Sequence, residues 1–342
     1  MDQEAETLRQ KGVCKPVDIV KDVQWDVGAI EMAAFDGPAV VLKDSQCIYK
    51  PELQNAFDIP ATDCTIFHEE WVPYFTTYGV QDSNAPLEFR IPVEGSYYLD
   101  LNQSYIAMRL RLSKGTGDVP STELIAPDCG LFHLLFDDIH VYYNDTLIAD
   151  SSGLYGHQAA LDRMLRWSPY QKQSELQQEF FYENKTPDTF TDDDPGFKIR
   201  RELTKGSRTF VVCGKPAFGI FDQDRLIIPG STIKLSMRRA PIEKVLVSSL
   251  EIEDPSTYKL TIESATFYAC KKIIEKNVLD FHRKQASLGK QFVYPYKDTY
   301  MRSFNISKDQ LSFESDSLII GKLSLLLLIC WFFHVQISFM HK

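Results

Sequence analysis

Ile106-Ala107-Met108-Arg109-Leu110-Arg111-Leu112 decides the fold. Ile106, Met108, Leu110 and Leu112 are apolar and alternate with Ala107, Arg109 and Arg111. Successive side chains of a strand point to opposite faces, so this reads as a β-strand with one face for a core and one for solvent. Lys114-Gly115-Thr116-Gly117-Asp118 stops it. Upstream, Leu87, Phe89 and Ile91 alternate with Glu88 and Arg90 before a turn at Gly95-Ser96. Downstream, Ile139, Val141 and Tyr143 lead into Asn144-Asp145, a pair suited to a tight hairpin, with a short return through Leu147 and Ile148. Two further strands follow: Thr209-Phe210-Val211-Val212-Cys213, then Ile233, Leu235 and Met237 against Lys234, Ser236 and Arg238.

Helical periodicity occurs twice. Ala160, Leu161, Met164 and Leu165 make one apolar stripe that Pro169 closes. Val278, Leu279, His282 and Ala286 share a face behind a possible cap at Asn277, and Gly289 ends that segment. Residues 183–196 read as a polar, acidic loop. Glu251-Ile252-Glu253-Asp254-Pro255-Ser256 reads as a linker, beyond which Tyr258, Leu260 and Ile262 alternate with Lys259, Thr261 and Glu263 and open a second unit. Short strands between turn residues, with single helices inserted, indicate packed antiparallel sheets rather than a parallel α/β fold. The predicted class is all-β: two sheets stacked about 10 Å apart, an architecture that includes jelly rolls.

The chain has 342 residues, of which 44% are hydrophobic and 25% charged, with Gly 17 and Pro 17, so collagen-like and wholly disordered classes are excluded. Net charge is −10, and residues 1–80 hold 14 acidic against 6 basic side chains. A basic nucleic-acid-binding tail is therefore missing, and nucleic acid contact is expected to be weak at most. Cys14, Cys47, Cys64, Cys129, Cys213, Cys270 and Cys330 are dispersed without a CxxC pair, which points to a reducing compartment rather than a disulfide framework or zinc site. Met1 to Glu6 lacks a charged region followed by an apolar core, so no secretory leader is predicted. Asn102, Asn144, Asn184 and Asn305 stand in Asn-x-Ser/Thr sites read as chance matches.

Catalytic signals are poor: no phosphate loop, HExxH or GxSxG motif is present. Asp137-Asp138 with His133 and His140 resembles a metal cluster, but seven residues of strand place the two rings on opposite faces, so these read as structural residues. Asp192 to Asp194 offers oxygen ligands without EF-hand spacing and reads as a solvated loop. Arg200-Arg201 and Arg238-Arg239 suit phosphates or acidic neighbours, with strand-edge solvation as the plainer reading. No catalytic, cofactor-binding or metal residue is assigned, and no cofactor or small-molecule substrate is expected. Trp25, Trp71, Trp167 and Trp331 are too dispersed to suggest a carbohydrate site.

Ordered blocks along the chain carry a resemblance. They are Glu70-Trp71-Val72-Pro73-Tyr74, Ala85-Pro86-Leu87-Glu88-Phe89-Arg90-Ile91-Pro92 and Tyr98-Leu99-Asp100-Leu101-Asn102-Gln103-Ser104-Tyr105. Then come Leu131 through Asn144, Gly196 through Thr204, Phe221 through Gly230, and Tyr294-Pro295-Tyr296. In this order the sequence resembles the major capsid protein family of Polinton/Maverick elements and adintovirus-like viruses, including transposon-derived copies in animal genomes. The resemblance implies a double jelly roll, three chains per capsomer, capsomers tiling an icosahedral shell, and a structural protein without an active site. The implied location is a virion or the cell interior, and the implied partners are copies of itself.

Two departures stand out. Where the family usually reads Tyr-Pro-Tyr-Arg after the Asn-containing turn, this chain has Tyr155-Gly156-His157-Gln158. The match also fades after Leu318-Ile319-Ile320-Gly321-Lys322-Leu323. Leu323 to Phe333 is 11 residues without a charge, and Leu318 to Met340 is 23 residues interrupted by Lys322, His334 and Gln336. A membrane-spanning helix needs about 20 mainly apolar residues, so a tail anchor in a membrane is one reading. An aberrant end of a decayed gene copy unable to assemble and a displaced strand are the others. The expected organisation is an acidic, partly ordered arm over residues 1–65, a first jelly roll over 66–256, a partial second jelly roll over 257–317 and a hydrophobic tail over 318–342.

Overall fold

In a computed structural model, residues 65–80, 85–120, 122–186, 190–248, 257–297, 299 and 301 are described. The arm over 1–64 and the tail over 318–342 lie outside the described residues. Among the described residues eleven strands and five short α-helices follow in order. They are β1 (Ile66–Phe75), β2 (Leu87–Pro92), β3 (Tyr97–Lys114), β4 (Gly117–Asp118) and β5 (Ile125–Pro127), then α1 (Leu131–Leu134), β6 (Phe136–Tyr143) and β7 (Thr146–Asp150). Next come α2 (Tyr155–Arg166), α3 (Pro169–Lys172), α4 (Pro195–Thr204), β8 (Phe210–Gly214), β9 (Thr232–Arg239), β10 (Leu246–Ser248), β11 (Tyr258–Ile274) and α5 (Lys276–Ser287).

One sheet runs β1-β11-β3-β8, with β4 folding onto the end of β3, a second runs β2-β9-β6-β7, and β5 and β10 pair as a separate two-stranded sheet. Every pairing is antiparallel. Strands that are neighbours in sequence mostly lie in opposite sheets or across a third strand. This is the eight-stranded jelly roll, made of two four-stranded sheets face to face. The alternation in β3 holds as read: Ile106, Met108, Leu110 and Leu112 are buried, whereas Arg109 and Arg111 face solvent. From the opposite sheet Ile91, Ile139, Val141, Ile233, Leu235 and Met237 close the same core. Phe89 of β2 lies over Phe267 of β11 with ring centroids 6.1 Å apart, joining the two layers.

The expected boundary after residue 256 falls inside this sandwich. Tyr258 pairs with Lys114 and Ile273 with Tyr97, so β11 runs beside β3 almost from end to end. Its other edge takes β1, from Ile66 opposite Ile274 to Phe75 opposite Thr266. The strand read as opening a second unit is thus a central strand of the first. Its length was hidden by a bulge between Ile262 and Ser264. The extra residue reverses the alternation, so Ile262 points inward and Ala265, Phe267 and Ala269 then continue inward on odd numbers. The Glu251–Ser256 stretch itself lies outside the described residues.

Helical segments behave unevenly. The α5 reading holds, with the cap two residues before Asn277 at Glu275; Leu279 is buried, and Gly289 takes a left-handed φ of 76°. In α2 the helix is correct but the face is not. Its buried residues are Tyr155, Gln158, Ala159 and Arg163, whereas Met164 and Leu165 are 57% and 64% exposed. The hairpin at Asn144-Asp145 has φ of 46° and 63°, the paired left-handed residues of a two-residue turn, and joins β6 to β7.

Candidate functional site

Three polar clusters in the described residues hold the candidate residues read from sequence. The first lies under α2. His133 is in α1, not in strand as expected, and is buried. Its Nδ1 is 2.8 Å from the Tyr155 hydroxyl, while its Nε2 lies 3.0 Å from Glu179 Oε2 and 3.0 Å from Arg163 Nη2. Arg163 grips Glu179 with two bonds, Nε to Oε2 and Nη2 to Oε1, both 2.8 Å. Burial alone raises a carboxyl, but Arg163 and His133 outweigh it, and Glu179 is held at about 2. Burial also lowers His133, and the Arg163 charge pushes the same way against the pull of Glu179. This fully packed network ties α1, α2 and the 175–179 turn together, and a closed charge cluster of this kind is structural.

The second is built around α4. Asp194 caps it, its Oδ1 accepting from Gly196 N at 2.9 Å and Phe197 N at 3.1 Å, and its Oδ2 from Lys185 N and Thr186 N. Burial raises its carboxyl, yet these four N–H donors prevail and hold it below the usual range. Asp192 takes both oxygens to Arg201 Nη1, at 2.8 and 2.6 Å. In the Asp192–Asp194 run, Asp192 and Asp193 stand in an exposed turn as read, whereas Asp194 is buried as the cap of α4 and Asp192 also pairs with Arg201. Arg200-Arg201 meets the acidic neighbours one reading gave it, Asp128 and Asp192, and departs from strand-edge solvation, since both residues are buried in a helix. Arg200 has 0% exposure; it donates to Pro127 O at 2.8 Å, to Asp128 Oδ1 at 3.1 Å and to Asn184 Oδ1. A guanidinium so enclosed is occupied by its own chain and cannot meet a phosphate.

The third is on the outer face of the β2-β9-β6-β7 sheet. Asp138 and His140, two apart on β6, share that face, and His140 stands opposite Asp150 of β7. His140 Nε2 lies 3.6 Å from Asp138 Oδ2 and 3.3 Å from Asp150 Oδ1. Ser151 Oγ and Gly153 N donate to Asp138 Oδ1 at 2.8 and 3.2 Å; these bonds outweigh burial, which raises the carboxyl, and hold it low. Asp137 belongs elsewhere, bonded to Lys244 at 2.9 Å and to Arg238 at 3.4 Å. The sequence set His133 and His140 on opposite faces, and the structure keeps them apart; what it adds is Asp150 opposite His140. A bulge between Val141 and Tyr142 is the reason. Continued without it, the hairpin register would set His140 against Ala149.

Thiols offer no reactive centre among the described residues. Burial pushes Cys129 and Cys270 up to about 12, where a thiolate is scarce at neutral pH. Large apolar side chains do stand in solvent, however. Tyr170 is 80% exposed in α3, Met164 and Leu165 are exposed in α2, and Phe67, Trp71 and Phe75 are exposed along the edge strand β1. No helix among the described residues is long and apolar enough to cross a membrane, and residues 318–340 lie outside them.

No protein-family model matches the sequence, and no curated protein does. Solved structures do show a likeness. Viral capsid structures are among them. The Sputnik virophage structure, solved by cryo-EM, is 13% identical with a TM-score of 0.47, over 68% of this chain and 53% of that one. The mavirus major capsid protein is 10% identical with a TM-score of 0.39, over 71% and 54%. The Faustovirus major capsid protein is 10% identical with a TM-score of 0.37, over 72% and 59%. In each case the chain spans between about half and three fifths of the length of the chain it matches.

Proposed function

We propose that this chain is a capsid-type structural protein, not an enzyme, that associates with copies of itself as trimeric capsomers. The observation that carries the reading is topological: the described residues close an eight-stranded jelly roll whose strand order is β1-β11-β3-β8 over β2-β9-β6-β7. The blocks that resemble the Polinton/Maverick capsid family fall on its working parts. Glu70 to Tyr74 lies in β1, Leu87 to Pro92 is β2, Tyr98 to Tyr105 is the first half of β3, and Gly196 to Thr204 fills α4. Tyr294 and Tyr296 reach back to bond Ile228 N and Ile148 O at 3.2 and 2.9 Å.

Self-association also gives a use to the exposed apolar groups. Met164, Leu165 and Tyr170 lie outside the core, and a surface patch of this kind favours burial against another protein. Closed symmetry among like subunits buries such surface without leaving open edges. On this reading the second sandwich of a double jelly roll draws on chain after Ile274, and residues 183–196 lie at capsomer tops or contacts. The test is the mass of the purified full chain by light scattering across a concentration series. A species near three times 39.2 kDa is expected, reduced toward monomer by Met164→Lys with Leu165→Lys. A monomer at every concentration overturns the proposal.

A further inference from the structure

We infer that Asp138, His140 and Asp150 form a binding site for a divalent transition-metal ion of the zinc class on the outer face of the jelly roll. The three donors lie within 4.8 Å of one another. They come from positions a strand pair places together, two residues apart on β6 and directly opposite on β7. The spacing is the telling point. Among the described residues no hydrogen bond joins the His140 ring to either carboxylate, although its Nε2 stands 3.3 and 3.6 Å from their oxygens. Bonds of about 2.0–2.2 Å to a tetrahedral ion put neighbouring ligand atoms roughly 3.3–3.6 Å apart. The donors thus stand near the edge length of such a polyhedron, at loose ion-pair distances that an ion could replace.

Chemistry agrees with geometry. One imidazole nitrogen and two carboxylate oxygens suit a borderline divalent ion better than calcium or magnesium, which prefer all-oxygen shells. Support groups are in place as well. Ser151 Oγ and Gly153 N fix Asp138 through Oδ1 and leave Oδ2 turned to His140, while Ser152 N donates to Asp150 Oδ1 at 2.8 Å. Outer bonds of this type set ligand orientation. The nearest competing cation is Arg238, whose Nη2 is 3.8 Å from Asp138 Oδ2; its side chain is mostly exposed and also serves Asp137. With three protein donors, the fourth position is left to solvent. The ion would bridge β6 to the edge strand β7 across the bulge that creates the site, so binding is expected to stiffen the sheet edge. This inference does not depend on the capsid reading.

The test uses the full chain, free of any affinity tag and under reducing conditions. Adding Zn²⁺ is expected to raise the melting temperature, and Co²⁺ to give the visible absorption of a tetrahedral site without the charge-transfer band of thiolate ligands. Asp150→Asn and His140→Gln are each expected to weaken Zn²⁺ binding about 100-fold or more, and Ser151→Ala about 10-fold. Asp150 is exposed at the sheet edge, so the D150N chain is expected to fold as the parent does, checked by circular dichroism. Absence of any metal-dependent shift overturns the inference, as does a shift that survives in both ligand variants, which would place the ion elsewhere, for instance on cysteines.

Discussion

Ending the chain at Ser256 is expected to abolish folding, not to trim away a neighbouring domain. The cut removes β11, which sits between β1 and β3 and contributes Ile262, Ala265, Phe267, Ala269, Cys270 and Ile274 to buried positions. Fully burying a large apolar side chain is worth about 1.5–3 kcal/mol, so Ile262, Phe267 and Ile274 together carry about 5–9 kcal/mol. The ladders to both neighbours are lost in addition, leaving β1 without its partner. Because a domain of this kind is stable by about 5–15 kcal/mol, the remainder has no margin. The assay compares fragments 65–256 and 61–301 by far-ultraviolet circular dichroism and urea denaturation. The longer fragment is expected to unfold cooperatively and the shorter to show no transition. Cooperative unfolding of 65–256 at a similar midpoint would refute the reasoning. In the full chain, Phe267→Ala is expected to cost about 3–5 kcal/mol, because the cavity opens against Phe89 between the sheets.

Further predictions concern the polar clusters. Glu179 is held at about 2 against an ordinary 4.5, so its contribution, about 3 kcal/mol, is complete above pH 4.5 and drains away as pH falls toward 2. Urea midpoints measured across that window should fall steeply for the parent; Glu179→Gln should start lower and fall less, and equal slopes would count against the assignment. Arg200→Met is expected to cost about 3 kcal/mol by stranding Pro127 O, Asp128 and Asn184, read as a drop in the thermal midpoint. Asp194→Ala removes the cap of α4 and should cost about 1–2 kcal/mol, whereas Asp193→Ala, one residue earlier, serves as the neutral control.

Legibility in the sequence followed geometry closely. Strands with one buried and one wet face, such as β3 and β9, announced themselves by alternation. In the longest sheet β1 went unread and β11 was read only over its first residues, for opposite reasons. β1 is an edge strand with side chains exposed on both faces, so its order of apolar and polar residues carries no period. β11 does carry one, but the bulge after Ile262 breaks it in two. The acidic Glu251–Ser256 stretch then looked like a boundary because nothing in it reveals which strands it joins. In α2 the apolar stripe misled because the core side of the helix is spent on Tyr155, Gln158 and Arg163, the last drawn inward by Glu179. Composition has no way to announce a buried ion pair whose partner is 16 residues away. Asp150 was equally hidden, since the hairpin was legible but the one-residue slip that sets it opposite His140 was not.

The place of β11 also sets the order of events during synthesis. Ile66, near the start of the sandwich, finds its partner in Ile274, so the longest loop in the fold must close before the first sheet is complete. Until β11 has left the ribosome, β1 has no neighbour and β3 carries a bare edge alongside half of the core. A nascent chain in that condition is sticky and vulnerable to its own copies. On the proposed capsid reading, late arrival of the central strand separates the two uses of those surfaces in time: the sheet interior is sealed first, and only a finished subunit can present its outer flanks.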